Sequence, residues 1–452
     1  MLRRCLVANR GEIAVRVIRA CRHLGIRTVA VYSTADRDAL HVRLADRAIC
    51  IGPPSAAESY LSIPNVIAAA ETSGCDAVHP GYGFLSENPE FVRACVGAGL
   101  IFVGPPPEVM ETMGDKASAK EAMRRAGLPL VPGSEGRLGS AAEAFPVAEA
   151  AGYPVLLKAA AGGGGRGMRL VPSPDALADA FRQASQEADA AFGDGGMYLE
   201  KAVVDAHHVE IQVLADSHGG VLICGERECS IQRRHQKLVE EAPSPFLDDK
   251  TRGNMAKAAE RACKAVGYVN AGTIEFLVGA DREFFFMEMN TRLQVEHPVT
   301  EEVTGIDLVR EQLRIASGER LRRTGRATLT GHAIEFRLNA EDPARGFMPS
   351  AGTITRFRPP LGPGVRVDTH AFEGYRIPPN YDSLLAKVVI WGEDRETAIA
   401  RAQRSLAECE VEGVATTRDL FRDIVQETRF RSGTYTTAYL DDAAADLPHL
   451  SP

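Results

Sequence analysis

Residues Thr273–Thr300 read TIEFLVGADREFFFMEMNTRLQVEHPVT. Two apolar, aromatic-rich runs, Thr273–Val278 and Glu283–Met289, flank Gly279-Ala-Asp-Arg282. That pattern predicts a β-hairpin. Each run carries a carboxylate where an apolar residue is cheaper to bury. Residues two apart share one face of a strand, so Glu288 and Asn290 point the same way and Glu275 on the partner strand faces them. Two carboxylates and an amide oxygen form a hard, oxygen-rich site suited to Mg2+ or Mn2+ bridging phosphate groups. Arg292, a cation, and Glu296, a candidate base, follow directly.

The rest of the chain bounds what such a site can serve. The chain has 452 residues, 45% apolar and 25% charged, an ordinary balance for a globular protein of about three domains. A net charge of −8 argues against nucleic acid as the main partner. No apolar run reaches membrane-spanning length, and the N-terminus reads as a first strand and helix, not a signal peptide. The nine cysteines are scattered without a Cys-x-x-Cys pair, so reduced, packed thiols in a cytoplasmic protein are expected. Only nine of the 52 basic residues are Lys. A Lys kept under such pressure toward Arg marks a place for a compact ammonium. Lys116, Lys158 and Lys237 lie inside motifs. Lys120, Lys250, Lys257 and Lys264 read as ordinary surface residues.

Along the chain, residues 1–115 alternate strand and helix: strands at Leu6–Ala8, Thr28–Tyr32, Ala48–Ile51 and Ile101–Val103, helices at Ile13–His23, Val66–Ser73 and Pro89–Ala98. This predicts a Rossmann-like, mostly parallel sheet in an α/β protein. A dinucleotide fingerprint is absent after the first strand, where the sequence is Ala8-Asn-Arg-Gly-Glu12. His79-Pro-Gly-Tyr-Gly-Phe-Leu-Ser-Glu-Asn88 is a glycine-rich loop of the kind that borders ligand sites in open sheets. Residues 116–320 hold a helix at Lys116–Ala126 and a strand ending at Lys158. The run Gly162–Gly165-Arg-Gly167 comes next, its backbone N–H groups able to wrap phosphate oxygens, and then a strand at Met168–Val171. Tyr198–Lys201 is a short strand suited to an adenine edge. Val209–Leu214 and Gly220–Cys224 are strands, and Glu226–Lys237, with alternating acids and bases, fits an anion-lined groove. In His332–Asn339, Ile334, Phe336 and Leu338 share one face and Glu335, Arg337 and Asn339 the other, which reads as a site wall in a further unit, 331–440. Residues 441–452 read as a loose tail.

Taken in order, Ala8–Ala14, His79–Asn88, Met113–Lys116, Lys158–Met168, Glu226–Lys237, Glu288–Pro298 and Glu335–Pro343 resemble the biotin carboxylase family of the ATP-grasp superfamily, over nearly the whole chain. Ala161 stands where some members have a fifth glycine. The resemblance implies an N-terminal domain over 1–115 and an ATP-grasp fold over 116–320 with a mobile glycine-rich lid at about 131–204. A C-terminal α+β domain would follow. It implies that ATP, bicarbonate and biotin give ADP, phosphate and N-carboxybiotin through carboxyphosphate. It carries roles onto matching residues. Glu275, Glu288 and Asn290 hold the metals. Lys116, Lys158, Gly163, Gly164, Gly165, His208, Gln232 and His235 contact ATP, with Glu200, Lys201, Ala202 and Val203 along the adenine. Glu296 takes the bicarbonate proton. Arg292, Lys237 and the Val295 backbone hold the anion, and Arg292 and Arg337 stabilise the biotin enolate. No Lys has Met on both sides, so biotin is expected on a separate carrier protein or domain, with a carboxyltransferase as second partner and a homodimer as the assembly. The chain then reads as a separate subunit or part of a longer carboxylase. The competing readings are another ligase of the same superfamily that forms carboxyphosphate or carbamoyl phosphate, and a non-catalytic nucleotide-binding subunit.

Overall fold

The computed structural model describes residues 2–160, 168–192, 194–234 and 236–450. The glycine run, with Gly163, Gly164 and Gly165, and His235 lie outside those residues.

The N-terminal unit is a parallel sheet in the order Arg47–Gly52, Arg27–Ser33, Arg4–Val7, Ala77–His79, Ile101–Phe102. The strand near 48–51 is not buried as expected; it is an edge strand and stays half exposed. Helix Gly11–His23 buries Ile13, Ala14, Val17, Ile18 and Cys21 in a cluster shared with Leu308 and Leu313 of helix Leu308–Ala316, so the parallel unit is packed onto the rest of the molecule.

The predicted hairpin forms, as Asn270–Val278 and Phe284–Asn290, at one edge of a large sheet. Inward from it come His207–Ala215, Val221–Arg233, Gln236–Ala242, His332–Asn339, Leu384–Gly392 and Val365–Thr369, each antiparallel to the next, with the short strand Gly325–Arg326 pairing parallel to Val221–Arg233. Two expectations change here. The strand expected at Gly220–Cys224 runs on past Cys224: Val221–Arg233 is one thirteen-residue strand. The unit 331–440 is not built on a sheet of its own, because His332–Asn339 pairs with Gln236–Ala242 and continues the central sheet. The polar face of this strand is open only in part: Glu335 is fully buried, while Arg337 and Asn339 line a cleft.

A smaller body sits at about 131–204. Its strands run Met168–Val171, Val155–Ala159, Met197–Lys201, and helices Ala141–Ala151 and Pro174–Phe192 bring Ala144, Ala148, Leu177 and Phe181 to a core of its own with Val155, Leu157 and Leu199. Residues 441–450 are docked, contrary to the expectation of a loose tail. Leu440, Ala443 and Leu447, spaced three and four apart, are buried against the cluster that includes Phe421 and Phe430. That apolar spacing outweighs the polar residues between them.

Candidate active site

Register places the hairpin acids as expected: Glu275 lies opposite Glu288, and Thr273 opposite Asn290. The Glu275 carboxylate is buried. Its Oε1 accepts from Asn290 Nδ2 (2.8 Å), Gln294 Nε2 (2.7 Å) and Lys237 Nζ (3.1 Å). Its Oε2 is 2.9 Å from His208 Nε2. Burial alone would raise the Glu275 pKa, but Lys237 and His208 hold it well below the usual carboxylate range. Glu288 is open to solvent at the hairpin edge and accepts no hydrogen bond among the described residues. Partial desolvation and the neighbouring Glu275 charge push it up. An acid poised against a second acid fits a divalent cation, which would relieve that repulsion. Asn290 here turns its Nδ2 to Glu275 and its Oδ1 to Arg292, and an amide flip would bring the oxygen to such an ion.

Lys237 is the hub. Its ammonium donates to Glu210 Oε2 (2.6 Å), Glu296 Oε1 (2.6 Å) and Glu275 Oε1, so all three N–H groups meet carboxylates. Burial would lower its pKa, but the three acids raise it far above normal and it stays charged. Glu296 Oε2 accepts from Arg337 Nη2 at 2.9 Å, and Arg337 Nε also reaches Glu240 Oε1 at 2.6 Å. Glu296 is buried; Lys237, Arg337 and Arg227 overcome that burial and keep it ionised far below the ordinary range.

Lys237 and Arg337 open onto a cavity of about 530 Å³ where the three segments meet. Lys237, Arg292, Val295 and Arg337 line one side. Arg10, Tyr82, Gly83 and Phe84 of the N-terminal unit, with Asn380, Tyr381 and Asp382, line the other. The loop at 80–84 is held by Asn9, whose Nδ2 donates to the carbonyls of Pro80 (2.6 Å) and Tyr82 (2.8 Å). Gly81 has φ +65°, and a Cβ there would sit 3.0 Å from Asn9 Nδ2 and from Ile13, so this turn requires glycine.

Other expected ligands stand apart from this cluster. Lys116 is exposed in the first turn of helix Lys116–Arg125, which Asp115 caps through Ser118 N. Lys158 is ion-paired with Glu200 on the smaller body. Lys120, expected to be a plain surface residue, pairs with the same Glu200 carboxylate at 2.5 Å. The N–H groups of Lys201 and Ala202 donate to the carbonyls of Pro132 (2.7 Å) and Pro154 (2.9 Å), and Val203 follows with its side chain beside Gly279. Gln232 sits opposite Lys237 in the strand register.

Three groups around the site carry no sequence expectation. Glu210 shares its strand face with His208 and Gln212; the alternation His-Val-Glu-Ile-Gln in an otherwise apolar strand was the available signal. Arg227 is fully buried and donates to Glu210, Gln212 (2.8 Å), Gln294 (2.7 Å), Thr300 (2.9 Å) and Thr273 (3.2 Å), fixing the floor beneath Lys237. Lys387 is fully buried, donates to the Val295 carbonyl at 3.0 Å and lies 3.2 Å from Glu12. A lone Lys in Leu384-Leu-Ala-Lys-Val-Val-Ile390, in a chain that prefers Arg, was its signal.

Comparison with known proteins agrees along the whole chain. Residues 1–110 match the family model for the biotin carboxylase N-terminal domain, 115–324 that for the carbamoyl-phosphate synthase L chain ATP-binding domain, and 335–442 that for the biotin carboxylase C-terminal domain. Biotin carboxylase from a Nostoc species is 55% identical over 438 residues, covering 97% of this chain and 98% of its own length. Biotin carboxylase 1 from Bacillus subtilis is 51% identical over 443 residues, covering 98% of each. The Campylobacter jejuni biotin carboxylase–β,γ-ATP complex superposes with a TM-score of 0.91 at 48% identity, over 98% of this chain and 99% of that one. The biotin carboxylase domain dimer of Hydrogenobacter thermophilus 2-oxoglutarate carboxylase, solved with MgADP, ADP and bicarbonate, gives 0.91 at 47% identity over the full length of both. With identity near one half across all three segments and the same fold, the chain belongs to the biotin carboxylase family.

Proposed function

We infer that this chain catalyses the ATP-dependent carboxylation of biotin by bicarbonate, releasing ADP and phosphate. The observation that carries the reading is Lys237: one ammonium bridges Glu275 of the hairpin and Glu296 at the cleft, so a phosphate side and an anion side share a single charge. Residues 1–115, 116–320 and 331–440 serve as the N-terminal, nucleotide-binding and C-terminal domains around it, with about 131–204 as the lid.

Phosphoryl transfer depends on positioning and charge neutralisation more than on covalent catalysis. A divalent cation held by Glu275, Glu288 and Asn290 would supply that neutralisation at the ATP phosphates. Lys116, Lys158, His208, Gln232, His235 and the glycine run contact the nucleotide, with Glu200–Val203 beside the adenine. Arg292, Lys237 and the Val295 backbone hold bicarbonate, and Glu296 accepts its proton. Glu296 is a weak base while Lys237 and Arg337 crowd it. Bound anions that draw those cations away restore its basicity. The bicarbonate oxygen attacks the γ-phosphorus and ADP leaves, giving carboxyphosphate, which breaks its C–O bond to CO2 and phosphate. The phosphate takes the ureido N–H proton of biotin, Arg292 and Arg337 stabilise the enolate oxygen, and the nitrogen bonds to CO2. Closure of the lid keeps water from the labile intermediate.

Biotin arrives on a carrier protein or domain, and a carboxyltransferase uses the product. The working form is a cytoplasmic homodimer. No helix among the described residues is long and apolar enough to cross a membrane. A non-catalytic subunit is expected to have lost a metal ligand or Glu296, and Glu275, Glu288, Asn290 and Glu296 all stand.

The test is ADP release in the presence of Mg2+. It should require bicarbonate and rise with biotin. Glu288→Gln should lower it by about a hundredfold or more, the scale of losing a transition-state charge contact, with an unchanged circular dichroism spectrum. Near-normal turnover of Glu288→Gln at saturating Mg2+ contradicts the metal assignment.

A further inference from the structure

Glu87 lies in the loop between strand Ala77–His79 and helix Pro89–Gly97, some two hundred residues from the hairpin. Its carboxylate nevertheless closes on the turn that follows the hairpin. Oε1 accepts from Thr291 N (2.9 Å) and Thr291 Oγ1 (3.2 Å), and Oε2 accepts from Arg292 Nε (2.8 Å). The mount is rigid. The turn before it is closed by Ser86 N to the Gly83 carbonyl (3.0 Å), the turn that contains it by Asn88 N to the Leu85 carbonyl (3.2 Å), and Asn88 Oδ1 caps the helix through Phe91 N (2.9 Å).

Arg292 lines the cleft. Its Nε is held by Glu87, while Nη2 donates to Asn290 Oδ1 (2.9 Å) and Nη1 to the Leu293 carbonyl (3.2 Å). Each Nη carries a second proton, so the outer edge of the guanidinium still has two donors for a planar oxyanion. A carboxylate on Nε removes the rotation that would otherwise carry this edge away. Glu87 is about two-fifths exposed at its side chain, so the chain does not need it to fill a core; its partners are the two residues beside the anion site.

We propose that Glu87 is a positioning residue for bicarbonate: a carboxylate supplied by the N-terminal domain that fixes the plane and direction of Arg292. This rests on the reading of Arg292 as an anion-holding group. It also makes the anion site a joint product of two domains, since the loop at 80–88 must be docked on the hairpin turn for Arg292 to be aimed.

The experiment measures ADP release by the full chain against bicarbonate at saturating ATP, together with MgADP affinity by calorimetry. The variants are Glu87→Ala, Glu87→Gln, Arg292→Lys and Glu87→Ala with Arg292→Lys. Glu87→Ala should raise the bicarbonate KM about tenfold, with kcat within about threefold and MgADP affinity within about twofold. Glu87→Gln, which keeps an acceptor but loses the charge, should give a smaller rise in the same parameter, and it carries the test if the Ala variant does not fold. In the Arg292→Lys background, where no Nε remains to hold, Glu87→Ala should add less than about twofold. The proposal is overturned by an unchanged bicarbonate KM in Glu87→Ala and Glu87→Gln while Arg292→Lys raises it. It is overturned equally by MgADP affinity falling in step with bicarbonate, which would make Glu87 a brace for the turn. An unchanged bicarbonate KM in Arg292→Lys instead sinks the assignment of Arg292 itself.

Discussion

Lys237 and Arg337 each face two or more carboxylates inside the protein, and Glu296 is common to both. The two cations differ in what lies behind them. Lys237 reaches toward the hairpin acids, whereas Arg337 is backed by Glu240 alone. This asymmetry separates the half-reactions. Arg337→Lys keeps a charge but loses the planar fork. Biotin-independent, bicarbonate-dependent ADP release should then survive within about threefold, while carboxybiotin formation falls roughly tenfold to a thousandfold. Glu296→Gln should depress both, because bicarbonate activation precedes either outcome. Equal loss of both rates in Arg337→Lys would assign Arg337 to the phosphate side or to the fold. At this scale much was legible: the phases of Glu275, Glu288 and Asn290 follow from strand periodicity, and Glu296 was named from its place just after the hairpin. Glu210, Arg227 and Lys387 were not, because a buried ion is recognised by its partners, and theirs lie up to several hundred residues away.

The strand His332–Asn339 shows what periodicity can and cannot give. Alternation correctly grouped Glu335, Arg337 and Asn339 on one face, but could not show that the fold leaves Arg337 and Asn339 at the cleft and shuts Glu335 away from it. Glu335 is fully buried and neither carboxylate oxygen finds a hydrogen-bond partner among the described residues. Burial pushes its pKa well above the usual 4.5; Lys387 pulls the other way and loses. A carboxyl raised in the fold binds more protons folded than unfolded at pH above 4.5, so its contribution is full below that pH and is lost as pH rises toward the folded value. Glu335→Gln resembles the protonated acid and removes this loss. Its unfolding free energy relative to wild type should therefore climb as pH rises above about 5, at up to roughly 1.4 kcal/mol per pH unit until the folded pKa is reached. Parallel curves for the two proteins over that range would show that Glu335 is ionised in the fold.

At the scale of the molecule, the parallel unit, the middle segment through Lys237, Arg292 and Val295, and the C-terminal unit each contribute a wall to one cleft. The parallel unit and the hairpin could be read locally. That 331–440 joins the central sheet, and that 441–450 docks through Ala443 and Leu447, could not, since both depend on pairing partners far away in sequence. No Lys of this sequence is flanked by Met on both sides, in keeping with the proposed reading of biotin as a substrate. Co-expression with a biotin ligase followed by a streptavidin blot should leave the chain unlabelled, and a strong band at 48.7 kDa would contradict this. The central claim is tested most directly by incubating the purified chain with ATP, Mg2+, labelled bicarbonate and free biotin, and counting acid-labile label in biotin. The account predicts incorporation that needs ATP and matches biotin-dependent ADP release, and that disappears in Glu296→Gln. ATP hydrolysis by a folded chain with no label reaching biotin, free or carrier-borne, would contradict it.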